Sequence, residues 1–258
     1  MARRGTAILG TLRDEPLASE LDGGDAVIAG PSGLVTPVMQ RIIGLIRAND
    51  LKPGAPIPSE ASLSLAFGVS RAVVREALRS LAALTLIDVG NGRRARVAIP
   101  DASVLGLVVD HAVYTEHVSI QQIYDVRRTV EMRTVALAAL RRTNVENLEI
   151  SRHAAAMRAS FQTPEVVKTH DIEFHAAIAV ASRNPMFSLI VQSFQDVTRK
   201  TWHVAWLSRP SAKERMESIE AHEAIAAAIS RQDPRAAETA MAEHFDNSVK
   251  ALLGAGVN

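Results

Sequence analysis

Residues 169–178 read Thr-His-Asp-Ile-Glu-Phe-His-Ala-Ala-Ile, so Asp171 and His175 stand four apart. On a helix that spacing sets a carboxylate and an imidazole one above the other on a single face. Two further imidazoles, His222 and His244, sit in helical stretches whose neighbours are apolar. One carboxylate and three neutral imidazoles from three helices make a donor set for a divalent cation. Zinc comes first and nickel fits equally in kind, while the carboxylate tolerates manganese or iron. Taken singly, each histidine is more often a hydrogen-bonded core or surface residue. Glu173 and Glu223 adjoin the donors, but on a helix a neighbour points about 100° away, which makes them poor general bases. Only a five- or six-coordinate ion leaves room for more; an effector carboxylate could then complete the sphere, and the site would be a binding platform rather than a hydrolytic centre.

A second set carries charge of the opposite sign. Arg71, Arg75 and Arg79 repeat every four residues behind Ser70, a hydroxyl suited to capping a helix. Val73, Val74, Ala77, Leu78 and Leu81 fill the other face, so the arginines form a basic stripe opposite a packed one. Such a stripe suits a helix in a DNA major groove, whereas an isolated stripe of this kind is usually a solvated face.

The surrounding elements decide between these readings. Pro58 and Ser59 start a short helix that Gly68 ends, and the next begins at Ser70, giving a helix-turn-helix preceded by a helix from Val35 to about Asn49. Leu86 to Val89 and Ala95 to Ala98 bracket a glycine-rich turn with Arg93 and Arg94 at its tip, a β-hairpin wing able to reach the DNA backbone or minor groove. Beyond Pro100 no strand pattern occurs. Helices are expected at about 102–115, 119–142, 145–160, 165–182, 186–207, 212–231 and 235–252. The chain reads as all-α with a small β-hairpin wing. A flexible arm spans 1–33, a winged helix 34–99, and an antiparallel bundle of six to seven helices 100–258.

Charge follows the same division. Residues 34–98 hold nine Lys/Arg against four acids, and all eight histidines lie at or beyond His111. Positive charge thus concentrates where phosphate binding requires it. The absence of cysteine excludes disulfides and thiolate zinc fingers, and no apolar run approaches a membrane span. A cytoplasmic, non-membrane protein is expected.

The stretches from Leu51 to Gly54, Ile57 to Glu60, Phe67 to Arg71 and Val74 to Leu78, with the glycine-rich wing, resemble the winged-helix domain of the GntR family of bacterial transcription regulators. The resemblance implies base or phosphate contacts from Arg71 and Arg75, with Arg79 on the same row. It makes Ser59 and Ser70 the capping hydroxyls of the DNA-facing turns and places Asn91, Gly92, Arg93 and Arg94 in the wing. Ala61 stands where many relatives carry a polar contact residue, and Thr85 replaces the usual glycine before the first wing strand. The order of Asp171, Phe174, His175, His222, Met241 and His244 resembles the FCD effector domain of the FadR subfamily, which implies a metal held by Asp171, His175, His222 and His244. Arg127 and Glu131, four apart, match that subfamily's spacing and are candidates to clamp an acidic effector. Arg199, Trp202, His203 and Trp206 share one helix and are read as packing.

The reading is a homodimeric DNA-binding regulator, a repressor, binding a pseudo-palindromic operator on double-stranded DNA. Its affinity responds to a small organic acid at a metal-containing pocket. Dimerisation follows because one recognition helix reads too few base pairs. No enzyme is expected. Two alternatives stay open: a metal-dependent enzyme fused to a DNA-binding domain, and a helical domain that only dimerises around a structural metal.

Overall fold

The computed structural model describes residues 31–90 and 93–256. The arm expected over 1–33 lies outside them except for its last three residues, which with Leu34 form a 3-10 turn, Pro31–Leu34. Asn91 and Gly92 of the expected wing also lie outside the described residues. The chain divides into two compact units between Asp101 and Ala102.

The first unit begins with α1 (Val35–Ala48), whose apolar spacing buries Val38, Ile42 and Leu45. α2 (Glu60–Phe67) is capped by Ser59, which accepts the Ser62 N–H at 3.2 Å, and ends at Gly68 with a left-handed φ of 68°. α3 (Arg71–Ala83) is capped by Ser70, accepting from the Val73 N–H at 3.4 Å. The Ser64 hydroxyl donates to the Val69 carbonyl at 2.6 Å and fastens the turn between α2 and α3. Leu63, Phe67, Val74, Ala77 and Leu81 close one core with α1 and Ile87.

The wing strands β1 (Ile87–Asp88) and β2 (Arg96–Val97) pair antiparallel, Ile87 opposite Val97. They are shorter than the expected hairpin, and β2 has a second partner. The Ile57 N–H donates to the Ala95 carbonyl at 2.8 Å, and the Val97 N–H to the Ala55 carbonyl at 3.0 Å. The chain around Pro56 thereby acts as a third strand.

Among its described residues the second unit holds eight helices rather than six or seven. They are α4 (Ser103–Tyr114), α5 (Ile120–Arg141), α6 (Asn144–Ala159), α7 (Pro164–Ala181), α8 (Pro185–Ser193), α9 (Gln195–Leu207), α10 (Ala212–Ser230) and α11 (Pro234–Gly254). Side-chain caps explain several of the starts. Ser119, Thr143 and Ser211 each form a capping box with the residue three further on, and proline stands in the first turn of α7, α8 and α11.

The stretch 186–207, expected as one helix, is interrupted. It breaks at Phe194, which turns inward to pack with Ile123 and Val197. The Ser193 hydroxyl bonds the Ile190 carbonyl at 2.7 Å, and the Ser193 carbonyl approaches Gly106 so closely that an added Cβ would lie 3.3 Å away. Tertiary packing of α4 against the break overrides an otherwise unbroken helical pattern. The main core, with Phe174, Ile178, Ile225, Ile229 and Phe245, ties α7, α10 and α11 together. Those three helices bear the four expected donors. Among the described residues no helix is long and apolar enough to cross a membrane.

Candidate functional site

α7 presents Asp171 and His175 on one face, α10 brings His222 and α11 brings His244, and all four are buried. One nitrogen from each of the three imidazoles lies within 4.8 Å of the others. The rings of His222 and His244 are 4.4 Å apart between centroids, and those of His175 and His244 are 5.2 Å apart. Edges of Phe174 and Phe245 close around them.

The position of the ring protons is informative. The His222 Nδ1–H donates to the Ser218 carbonyl at 2.8 Å, so in the neutral ring Nε2 carries a lone pair. That nitrogen is buried without a hydrogen-bond partner, yet it lies 2.7 Å from Asp171 Oδ1. At this separation either a proton on Nε2 or a shared metal ion joins the two atoms, and the geometry of a hydrogen bond is not met. The donor set, with its orphaned nitrogen, fits a divalent ion.

The charges agree. Burial alone would raise the Asp171 carboxyl, but His222 foremost, with His175 and His244, overrides this and holds it below its usual range. Burial, with His222 and His175 beside it, pushes His244 well below the usual imidazole range and keeps it a lone-pair donor.

Behind the imidazoles stands a second layer. His175 Nδ1–H donates to Glu131 through a short bond, which leaves Nε2 for the centre. Glu131 also accepts from Arg127 Nε at 2.9 Å, and Arg127 Nη1 donates to the Thr198 hydroxyl at 2.9 Å. Both members of this pair are buried, at 5% and 2% exposure, so it is no surface pair. Burial would raise the Glu131 carboxyl, yet His175 and Arg127 outweigh it and keep it ionised. Such a carboxylate fixes the tautomer and direction of a metal-binding histidine.

A cavity of about 40 Å³ adjoins the four donors and is also lined by Arg127, Tyr124 and Trp202. Glu131 is not among its lining residues. A second cavity of about 320 Å³, between α10, α11 and the turn before α10, shares Arg209, Ser218 and His244 with the first. Of the four α9 residues read as packing, Trp202 and Trp206 line the inner cavity with rings stacked at 5.0 Å. His203 and Arg199 are exposed, beside Glu165 and Asp196. Sequence reasoning missed Arg209, Thr198 and Ser218. Arg209 follows a helix end and precedes Pro210, a context that reads as a plain turn.

In the first unit Arg71, Arg75 and Arg79 are all exposed along α3, as are Arg93 and Arg94 on the wing. Ser59 and Ser70 are engaged as caps. Arg75 is gripped by Glu60 of α2, with Nε 3.2 Å from each carboxylate oxygen and Nη2 2.9 Å from one. Arg79 lies 3.8 Å from Glu76. Wing residue Arg96 is tied back to the Gly54 carbonyl at 2.5 Å.

Two family models match the chain. The model of bacterial regulatory proteins of the gntR family matches residues 34–97, and that of the FCD domain residues 122–247. The HTH-type transcriptional repressor NanR of Cronobacter sakazakii (strain ATCC BAA-894) is 32% identical over 231 residues, 83% of either chain. The HTH-type transcriptional regulator LutR of Bacillus subtilis (strain 168) is 28% identical over 218 residues, 81% of this chain and 97% of its own. The solved structure of Streptococcus agalactiae GntR shares the fold, with a TM-score of 0.60 at 22% identity, covering 83% of this chain and 97% of that one.

Proposed function

Because the chain belongs to the gntR family of bacterial regulatory proteins and carries an FCD domain after its winged helix, we propose that it is a repressor whose hold on a pseudo-palindromic operator responds to a small carboxylate bound at a divalent metal site. The relatives named above and both matched domains are those of transcriptional regulators, not enzymes.

The observation that supports the metal reading is the buried meeting of the His175, His222 and His244 nitrogens within 4.8 Å of one another, with Asp171 Oδ1 2.7 Å from His222 Nε2. Asp171, His175, His222 and His244 would hold the ion, which when bound supplies a Lewis-acidic contact for a carboxylate. Glu131 holds the His175 ring in place, and Arg127, neutralised by Glu131, holds Glu131. The arginine row of α3 meets DNA in the other unit, and two copies of the chain match the two half-sites.

Elemental analysis of the full chain is expected to find one divalent ion per chain, zinc first, and near none in Asp171→Asn or His222→Ala. A variant that keeps its full metal content ends the four-donor assignment. The small inner cavity favours, as a second reading, a purely structural ion beneath a dimerising domain. Calorimetry against a panel of carboxylates separates the two, since the structural reading predicts no heat from any of them.

A further inference from the structure

A carboxylate set behind an imidazole, as Glu131 stands behind His175, recurs on the other side of α7. His153 of α6 is buried, at 5% exposure, and its Nε2 lies 3.1 Å from Oε1 of Glu149, one helical turn earlier. Its Nδ1 lies 3.1 Å from Nδ1 of His170, a half-buried residue of α7. This pair uses none of the four donors described above. His170 precedes Asp171 in the chain, but on a helix neighbours point about 100° apart, so it faces α6 while Asp171 faces α10.

The neighbours of His153 decide where its ring proton sits. Glu149 accepts from Arg152 Nη2 at 2.6 Å and from Arg152 Nε at 3.1 Å, so the guanidinium charge is already matched. Arg152 Nη2 also lies 3.0 Å from His153 Nε2. A bare Nε2 would turn its lone pair toward the Glu149 carboxylate, whereas Nε2–H donates to it, so the free lone pair falls on Nδ1. Burial foremost, then the Arg152 charge, holds His153 below the usual imidazole range and keeps the ring neutral. His170 meets the Nδ1 lone pair with Nδ1–H as a hydrogen bond or, in its other tautomer, with a second lone pair.

Two nitrogens bound to one ion at about 2.0–2.1 Å lie about 2.9 Å apart at a right angle and about 3.3 Å apart at a tetrahedral one. The observed separation of 3.1 Å falls between these. We infer that His153 and His170 form a second cation site, separate from the four-donor centre, for a late first-row divalent ion, with Glu149 orienting His153. Imidazole nitrogen suits copper, nickel and zinc, copper most tightly, and hard cations such as magnesium poorly. Arg152 and Glu149 are about half exposed, so the pair lies next to solvent and water completes the coordination. An ion held there links α6 to α7.

The test is equilibrium dialysis of the full chain as purified against Cu(II) buffered with glycine. Copper and the metal already present are counted separately, so exchange at the four-donor centre shows as loss of the original ion. The parent is expected to take up one more copper per chain than His170→Gln. Glu149→Gln should hold that copper about 10- to 100-fold more weakly. The copper resonance spectrum of the parent should show imidazole nitrogen coupling that is reduced in His170→Gln. His203→Gln, which removes an exposed imidazole on α9, should match the parent. Equal copper uptake by the parent, His170→Gln and His153→Gln overturns the site and leaves the four-donor reading untouched. Uptake abolished in His203→Gln overturns it too, by placing the copper elsewhere. Copper held at parental strength in Glu149→Gln overturns the role given to that carboxylate. If His170→Gln folds poorly or loses the original ion, His153→Gln on the other helix decides, and full copper uptake in that variant overturns the inference.

Discussion

Each unit contains an arginine paired with a glutamate, and the two pairs have opposite uses. Arg75 and Glu60 are exposed at 54% and 37% and meet across two helices in the face that would meet DNA. Arg127 and Glu131 are both buried and sit one helical turn apart behind the imidazoles. Water screens the first pair, so its carboxylate can be exchanged for a phosphate at little cost. The second pair has no water to fall back on, so removing either partner strands a buried charge. An exposed pair is a reversible latch, whereas a buried one is a fixed strut that holds His175 in aim.

The sharpest way to break this contrast is Glu131→Gln. The glutamine still accepts a hydrogen bond from His175 but leaves the Arg127 charge uncompensated in the core. Denaturant unfolding should show a loss of about 3 to 5 kcal/mol, and metal affinity should fall about 10- to 100-fold. A variant as stable as the parent would mean that water reaches Arg127 and that the strut is no strut.

Next in size is Arg75→Ala, the exposed counterpart. Operator affinity in a mobility-shift assay should fall about tenfold to a hundredfold, while the thermal midpoint hardly moves. Equal loss on unrelated DNA would recast Arg75 as a phosphate contact, and no loss on any DNA would remove it from the interface.

These two arginines also show what could be read from the sequence. Arg75 belongs to an unbroken row on one helix next to Ser70 and Gly68, and local signals of that kind survive in one dimension. The i,i+4 spacing likewise exposed Asp171 with His175, and the apolar settings of His222 and His244 pointed inward. What the spacing of Arg127 and Glu131 could not reveal was their burial, which depends on α5 packing against α7 and α9, elements some 40 and 70 residues away. Arg209 was invisible for the same reason, since its meaning comes from a cavity closed by α10 and α11. The break at Phe194 has no glycine or proline to announce it, because its cause is the approach of Gly106 from α4. Caps and periodicity are local, whereas cavities and helix breaks set by packing are not.

A smaller effect is expected at Thr85, noted in the sequence as standing where glycine is usual. Its φ is +57°, and its N–H bonds the Ala82 carbonyl at 2.9 Å while Leu86 N–H bonds the Leu81 carbonyl at 3.1 Å. This is the left-handed C′ position of a Schellman motif, where a β-branched residue is strained. Thr85→Gly should raise stability by about 1 kcal/mol and leave DNA binding unchanged. Lower stability would show that glycine's added freedom in the unfolded chain outweighs the strain.

The smallest effect should come from Glu60→Gln, which opens the latch without touching Arg75. The hydrogen bond from Arg75 foremost, with the charges of Arg75, Arg79 and Arg71, holds the Glu60 carboxyl below its usual range, while partial burial pulls the other way. A carboxyl depressed in the folded state contributes stability that is present above the ordinary carboxylate pKa of about 4.5 and is lost as pH falls through its lower folded value. Because both partners are exposed, the contribution is slight: the thermal midpoint at pH 7 should drop by no more than a few degrees, and the difference should close in acid and in high salt. Operator binding should move the opposite way, tightening modestly, because Arg75 no longer has to leave a carboxylate before meeting a phosphate. A weakened operator complex would mean instead that Glu60 holds Arg75 in the orientation DNA needs, and that the exposed pair, like the buried one, works by positioning.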